Sequence, residues 1–231
     1  MIFITGDTHG SHDIKKLRWL KNESFTCDDY LIILGDAAII WHGNEKDLEI
    51  QKWYAKNIPC TVLFIDGNHD NFAALNKLPI EDWNGGCVHR INNQIIHLMR
   101  GQVYNINGST FFTMGGGFSV DKQYRTEGVS WWPEEMPSCI EYHLATLNLK
   151  RFNNKVDYIL THECPKMFLK DVIPGWAISR FGNIETNELN EFFDEIYNNF
   201  EFKKWYCGHY HDDVVVNEKF KCLFNDVLEI R

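Results

Sequence analysis

The sequence predicts an α/β fold in which two sheets share a core, and three observations point to it. The first third alternates hydrophobic, strand-like runs with helical stretches, as parallel strands joined by crossover helices do. The middle turns to short strands separated by Asn and Gly, as antiparallel hairpins do. Five short polar motifs each close a hydrophobic run, and open α/β sheets carry their sites at such strand ends.

The elements follow in order. A strand at 2–5 leads to a helix over 13–21, a strand at 30–34 to a helix over 45–56, and a strand at 61–65 to a short helix over 72–78. Strands at 88–91, 95–99, 103–106 and 110–114 come next, with Asn92-Asn93 and Asn107-Gly108 as hairpin signals. The segment 115–137 opens with three glycines, contains Trp131-Trp132-Pro133, and is expected to shape specificity as a loop over a rigid scaffold. A helix over 138–152, a strand at 157–161, an irregular Pro/Gly stretch at 165–182 and a helix over 186–200 follow. Short strands at 204–207, 213–217 and 220–224 complete the chain. With no linker, repeat or low-complexity segment, residues 1–231 read as one domain.

Composition bounds the function. With 44% hydrophobic and 14% aromatic residues among 231, a large core is within reach. The formal net charge of −9 argues against long nucleic acid as a partner, since that needs a basic patch. It does not bar a small anionic substrate, because divalent cations would invert the local field. No stretch approaches the length of a membrane span and Met1 leads directly into a strand, so the expectation is a cytoplasmic protein without a membrane partner. The seven cysteines include no C-x-x-C pair and read as reduced, mostly buried thiols. Cys164 and Cys207 flank motif histidines but lack the paired spacing of a zinc-thiolate site. Nothing in the sequence encodes an oligomeric state.

The five motifs are GDTHG (6–10), LGDA (34–37), GNHD (67–70), THECP (161–165) and GHYH (208–211). They supply carboxylates at Asp7 and Asp36, an amide at Asn68, and imidazoles at His9, His162, His209 and His211. Oxygen and imidazole donors without thiolate suit Mn, Fe, Zn, Co or Mg. Two cations sharing a carboxylate would lie ~3.5–4 Å apart, the spacing of two-metal hydrolases acting on phosphate. Helix and turn capping would account for Asp and Asn, but not for four histidines at strand ends. His69 lies beside Asn68 without being needed as a ligand, which makes it the candidate general acid, and Asp70 could orient it. Gly6, Gly10, Gly35, Gly67 and Gly208 permit tight turns that bring backbone close to such a centre.

GD-x-H-G, GD, GNHD, an isolated His near a Pro, and GH-x-H, in that order, resemble the motif series of calcineurin-like metallophosphoesterases across Asp7 to His211. The resemblance implies a β-sandwich of two mixed sheets flanked by helices. It implies one metal on Asp7, His9, Asp36 and His211, a second on Asp36, Asn68, His162 and His209, and His69 assisting the leaving group. The protein serine/threonine phosphatases of that superfamily extend the second motif to GD-x-x-D-R-G, whose arginine holds phosphate. Here it reads GDAAIIW (35–41), without that Asp or Arg, so a phosphate clamp has to come from elsewhere. Arg125 is the first choice, Arg100 the second and Arg180 the third.

The function expected is two-metal hydrolysis of a small phosphorylated substrate. A phosphomonoester of a nucleotide, metabolite or phosphopeptide comes first, and a cyclic or short-nucleotide phosphodiester second. A scaffold that kept the fold and lost the chemistry is the reading from another class, but all eight motif residues are present. His12 is expected to begin a helix, His42, His89, His97 and His143 to be surface or core residues, and Trp131 and Trp132 to pack the core. In the helix over 186–200, Leu189, Phe192, Phe193 and Ile196 form the buried face, opposite Glu185, Glu188, Glu191, Asp194 and Glu195.

Overall fold

In the computed structural model, which describes residues 1–26 and 28–230, the hydrophobic runs become the inner strands of two sheets. Strands β1 (Ile2–Thr5), β2 (Tyr30–Leu34) and β3 (Thr61–Ile65) lie side by side in parallel. The hairpins β4 (Ile80–Trp83) with β5 (Gly86–Arg90) and β5 with β6 (Ile95–Leu98) extend that sheet, β6 pairing in parallel with β3. The chain then crosses at Gly101 into a second sheet, starting with the hairpin β7 (Gln102–Ile106) and β8 (Ser109–Met114). Strands β9 (Tyr158–Thr161), β10 (Lys204–Cys207), β11 (Val214–Val215) and β12 (Phe220–Cys222) complete it, while β13 (Val227–Ile230) returns to pair with β1. The resulting orders are β13-β1-β2-β3-β6-β5-β4 and β11-β12-β10-β9-β8-β7. Two mixed sheets flanked by helices are the architecture the motif resemblance implies.

Both faces of the inner strands are covered, which explains why these runs are continuously apolar rather than alternating. Ile4, Ile32, Leu34, Leu63, Phe111 and Leu160 fill the space between the sheets and are fully buried. Each contributes about 1.5–3 kcal/mol through removal from water. Helix α1 (Asp47–Asn57) lies over the outer face of the first sheet, where Tyr54 packs with Leu17 and Leu31. A short helix α2 (Phe72–Leu75) follows β3. Helix α3 (Cys139–Arg151) begins at a capping box in which Ser138 and Glu141 satisfy each other's backbone N–H groups. It lies over the second sheet together with the helix at Glu188–Asn199. That last helix buries Leu189, Phe193 and Ile196, with Phe192 partly covered, as its sequence pattern predicts.

Two expectations need correction, and the edge strands β4 and β13 add to the elements expected. Residues 14–22 wind as a 3-10 helix rather than an α-helix, with Ile14, Leu17 and Leu20 at its threefold repeat pointing inward. Residues 165–182 are not irregular, since α4 (Leu169–Val172) and α5 (Gly175–Phe181) lie there and Gly182 ends the second at φ 78°. The helix at Glu188–Asn199 is therefore α6. Strand β4 escapes notice because it is an edge strand of sequence IEDW, with Ile80 63% exposed. Asn84-Gly85, both at positive φ, make its turn and carry the same hairpin signal as Asn107-Gly108. The middle strands are antiparallel hairpins as expected, but the two hairpins belong to different sheets. Among the described residues six cysteines are unpaired, four of them buried, and Cys27 lies outside them. No helix among the described residues is long and apolar enough to cross a membrane.

Candidate active site

The parallel register brings the loops after β1, β2 and β3 out along one edge of the first sheet, and those after β9 and β10 along one edge of the second. The edges are joined: His162 Nδ1–H donates to the Leu34 carbonyl at 2.7 Å, and Gly208 N–H donates to the His162 carbonyl at 3.1 Å. Asp7, His9, Asp36, Asn68, His162, His209 and His211 converge at this junction.

Four of these seven hold left-handed backbone: His9 at φ 42°, Asp36 at 47°, His209 at 73° and His211 at 53°. Each such residue costs of order 1–3 kcal/mol, and that strain persists only where the surroundings over-determine it. The approach is also very close. A Cβ on Gly35 would lie 2.2 Å from His162 Nδ1, and one on Gly67 2.1 Å from Asp36 Oδ1. These glycines are spacers for side chains that must meet.

Two groups of donor atoms result. Around Asp7 Oδ2 stand His211 Nε2 at 3.2 Å and His9 Nε2 at 3.8 Å, and His9 Nε2 is also 3.6 Å from Asp36 Oδ2. Asp7 Oδ2 is buried and accepts no well-formed hydrogen bond, despite the two imidazoles turned toward it. Around His162 Nε2 stand Asn68 Oδ1 at 3.0 Å, His209 Nδ1 at 3.2 Å and Asp36 Oδ2 at 3.6 Å. Because Nδ1 of His162 is spent on a carbonyl, Nε2 carries the lone pair of the neutral ring. Lone pairs facing one another at these distances are unfavourable until a cation or protons lie between them. Asp7, His9 and His211, and likewise Asp7, Asp36 and His162, place their ligand atoms within 4.8 Å of one another. The donor set fits divalent cations.

Protons do this balancing in the metal-free state. Burial opposes ionisation of Asp7 and Asp36, but the surrounding histidines, His162 foremost, hold both below the usual carboxylate range. Burial likewise opposes charge on His162 and His9, yet Asp36 and Asp7 overcome it and lift them to about 10 and about 9. Burial lowers His209. The backbone N–H groups of His209 and His69 donate to Asp7 Oδ1 and Asp36 Oδ1 at 2.9 and 2.8 Å, fixing which carboxylate oxygens face inward.

Several positioning residues were not singled out in the sequence. Asp13 holds His9 Nδ1 at 2.8 Å from four residues along the chain. Ser119 Oγ accepts from Asn68 Nδ2 at 2.9 Å, which turns Oδ1 toward His162. Ser119 in turn donates its hydroxyl to Glu135 at 2.5 Å and its N–H to the same carboxylate at 3.1 Å. Glu163 lies 3.7 Å from His209 Nε2 and accepts the Tyr210 hydroxyl. Of these, Glu163 lies inside a motif and Asp13 has the i, i+4 spacing from His9 that a helical turn brings together. Ser119 and Glu135 carry no sequence signal at all.

The remaining sequence-based choices separate clearly. His69 faces the cleft, its ring 6.4 Å from Trp41. Burial, more than any neighbour, lowers its pKa to about 4. Arg125 enters from the segment 115–137 and places Nη2 3.1 Å from His69 Nε2, while Asp121 grips its Nε and Nη2 at 2.6 and 2.7 Å. Arg180 also lines the cleft. Arg100 does not. It is buried on Asp66, with Nη2 2.6 Å from the carboxylate, and donates to the Glu135 carbonyl, so its guanidinium is already satisfied. Asp70 does not orient His69 either. Its two oxygens accept from Gly67 N–H at 2.8 Å and Ala38 N–H at 3.1 Å, tying the loop after β3 to that after β2. His12 is exposed and hydrogen-bonds the His9 carbonyl through Nδ1, ahead of the 3-10 helix rather than within it. His42 and His143 are exposed and His89 and His97 buried. Trp132 is in the core and meets Trp41 edge-on, while Trp131 is partly exposed.

Two cavities flank the cluster, one of about 380 Å³ on the α5 side and one of about 1050 Å³ between the loops after β1 and β2.

Compared with known proteins, residues 1–213 match the family model of the calcineurin-like phosphoesterases. No curated protein matches the chain. A solved structure that matches is the crystal structure of phosphopantetheinyl hydrolase from Mycobacterium tuberculosis. The two are 12% identical with a TM-score of 0.43, over 96% of this chain and 89% of that one.

Proposed function

The chain belongs to the calcineurin-like phosphoesterase family, a family of metal-dependent phosphoesterases, and on that premise we propose that it hydrolyses small phosphate esters with two divalent cations. The observation that carries the reading is the pair of donor groups meeting at Asp36, one around Asp7 Oδ2 and one around His162 Nε2. Asp7, His9, Asp36 and His211 would hold one cation, and Asp36, Asn68, His162 and His209 the other. When bound, the cations supply positive charge to phosphate oxygens and acidify a water, with manganese the first metal to test.

The chain's own residues do the rest. Arg125, aimed by Asp121, takes phosphate oxygens in its fork. His69 stands where a departing oxygen would need a proton, and its Nε2 becomes free to carry one when Arg125 turns from it to phosphate. Asp13, Ser119 and the Leu34 carbonyl fix the ring and amide orientations on which the donor groups depend. Asp70 holds the loops after β2 and β3 in register. A monoester has three non-bridging phosphate oxygens and a diester two, and either offers the two that a pair of cations would take, so the donors do not choose between them and the flanking cavities would.

The test is a double one: metal content and hydrolysis of p-nitrophenyl esters by stripped and reloaded protein. Turnover restored by metal supports the proposal. Bound metal without turnover on any phosphate ester would favour a binding scaffold instead.

A further inference from the structure

We propose that the substrate is a phosphodiester spanning the site, with an apolar or aromatic arm in the smaller cavity and an anionic arm in the larger. The inference rests on the hydrolase reading above and refines its substrate class. The two cavities share His69, Arg125 and His211 and otherwise have different walls. A phosphate held at the shared residues therefore has space on two sides. A monoester has one organic group and fills one side. A diester fills both.

The walls differ in chemistry. The smaller cavity has an apolar wall of Phe118, Val120, Trp176, Phe181 and Ile184, with Arg180 and Glu185 also on its lining. Trp176, on α5, is 50% exposed although its ring centroid is only 6.2 Å from that of His211, itself stacked on Phe224 at 4.9 Å. Ala177, buried beside it, anchors the helix. A large aromatic face left open beside the reacting centre is a stacking surface for an apolar or aromatic group.

The larger cavity has two cations beyond the shared Arg125, where the smaller one has Arg180. Arg18 and Lys46 line it, exposed and without an ion pair among the described residues, and His12 and His42 stand with them. Two of its three carboxylates already have fixed partners. Asp13 is held by His9, and Asp47 accepts the backbone N–H groups of Trp41, His42 and Gly43 at 3.2, 2.9 and 2.7 Å. Glu49 is the carboxylate left over. In a chain of net charge −9, Arg18 and Lys46 on this wall, with Arg125 at its inner end, are the positive groups that would meet an anionic arm. Trp41 and Trp53 add flat apolar walls beside those cations.

The reaction balances with water as co-reactant. Water oxygen adds to phosphorus and one P–O ester bond breaks. The departing arm leaves as an alcohol or phenol with a proton from His69, and the other arm stays on phosphate as a monoester. Of the two water protons, one replaces the proton His69 gave up and the other goes to solvent.

Three chromogenic esters test the inference on metal-loaded protein. They are p-nitrophenyl phosphate, the p-nitrophenyl ester of thymidine 5′-phosphate, and the same diester carrying a 3′-phosphate. The first has one arm, the second a second but neutral arm, and the third an anionic second arm. The expected order of kcat/KM rises along the series, by about tenfold at each step. R18Q/K46Q, exposed positions where the fold should stand, removes the gain from the 3′-phosphate, mostly through KM. Trp176→Ala raises KM and Trp176→Phe restores it. Preference for the monoester, or a 3′-phosphate gain that survives R18Q/K46Q, overturns the inference and leaves the hydrolase reading standing. Absence of metal-restored turnover on all three overturns the hydrolase reading and this inference with it.

Discussion

Arg125 Nη2 lies 3.1 Å from His69 Nε2, so a guanidinium rests on the imidazole best placed to protonate a leaving group. A guanidinium has no acceptor, so Nε2 of His69 holds a lone pair in this arrangement. The pairing makes each residue's availability depend on the other. On the proposed function, a substrate phosphate would draw Arg125 away and uncover His69.

Replacing Arg125 removes both the clamp and the cover. Arg125→Ala is expected to lower kcat/KM by about a hundredfold, as loss of a charged contact to the reacting phosphate does. Arg125→Lys keeps the charge but not the planar fork and recovers only part of that loss. Equal activity of Arg125→Ala and the parent enzyme would remove Arg125 from the phosphate site.

His69→Ala should leave metal content intact and cost most on esters with poor leaving groups, by about 10²–10⁴-fold. Activated nitrophenyl esters, whose leaving oxygen needs no proton, should lose far less. A uniform loss on both kinds of ester contradicts the acid role.

Metal stoichiometry separates the ligands. Asn68→Ala and His209→Ala are expected to lower the occupancy of one metal, and Asp36→Ala of both. Ser119→Ala frees the Asn68 amide to turn and should weaken metal binding about 10–100-fold without touching a ligand. Elemental analysis after dialysis reads all four, and unchanged metal content in Asn68→Ala and His209→Ala would refute the second set of ligands.

Acid stability tests a different part of the molecule. His89 is 3% exposed, its Nδ1 3.1 Å from that of His97, and burial first, then His97, lowers its pKa to about 4. The unfolded chain binds a proton at the ordinary value near 6.5 while the folded chain does not. Stability from this residue is complete above about pH 6.5 and falls as pH drops toward 4, by at most about 3 kcal/mol. Denaturant unfolding of the parent and of His89→Asn at pH 7 and 4.5 should show a smaller acid loss in the variant. The same loss in both would mean that His89 is not what titrates.

Much of this was legible in the sequence because buried parallel strands are continuous apolar runs and their ends are marked by Gly, Asp and His. The five motifs located the cluster, and Asp121–Arg125 at i, i+4 shows how the first-choice arginine is aimed. What could not be read depended on distant partners. Arg100 and Arg125 look alike in sequence, and only Asp66 beneath the first decides that it is buried. Asp70 follows His69 directly, yet its oxygens turn to Gly67 and Ala38 because the loop's backbone needs those acceptors. Helix α5 was hidden by Pro174 and Gly175, which begin it rather than break it.

The central claim is a two-metal centre that acts on phosphate esters. Its most direct test is a titration of stripped protein with manganese, reading bound metal by elemental analysis and hydrolysis of p-nitrophenyl phosphate and bis-p-nitrophenyl phosphate in parallel. Two ions per chain, with p-nitrophenol release that rises as they bind, is the predicted result. No retained metal and no turnover of either ester would contradict the account.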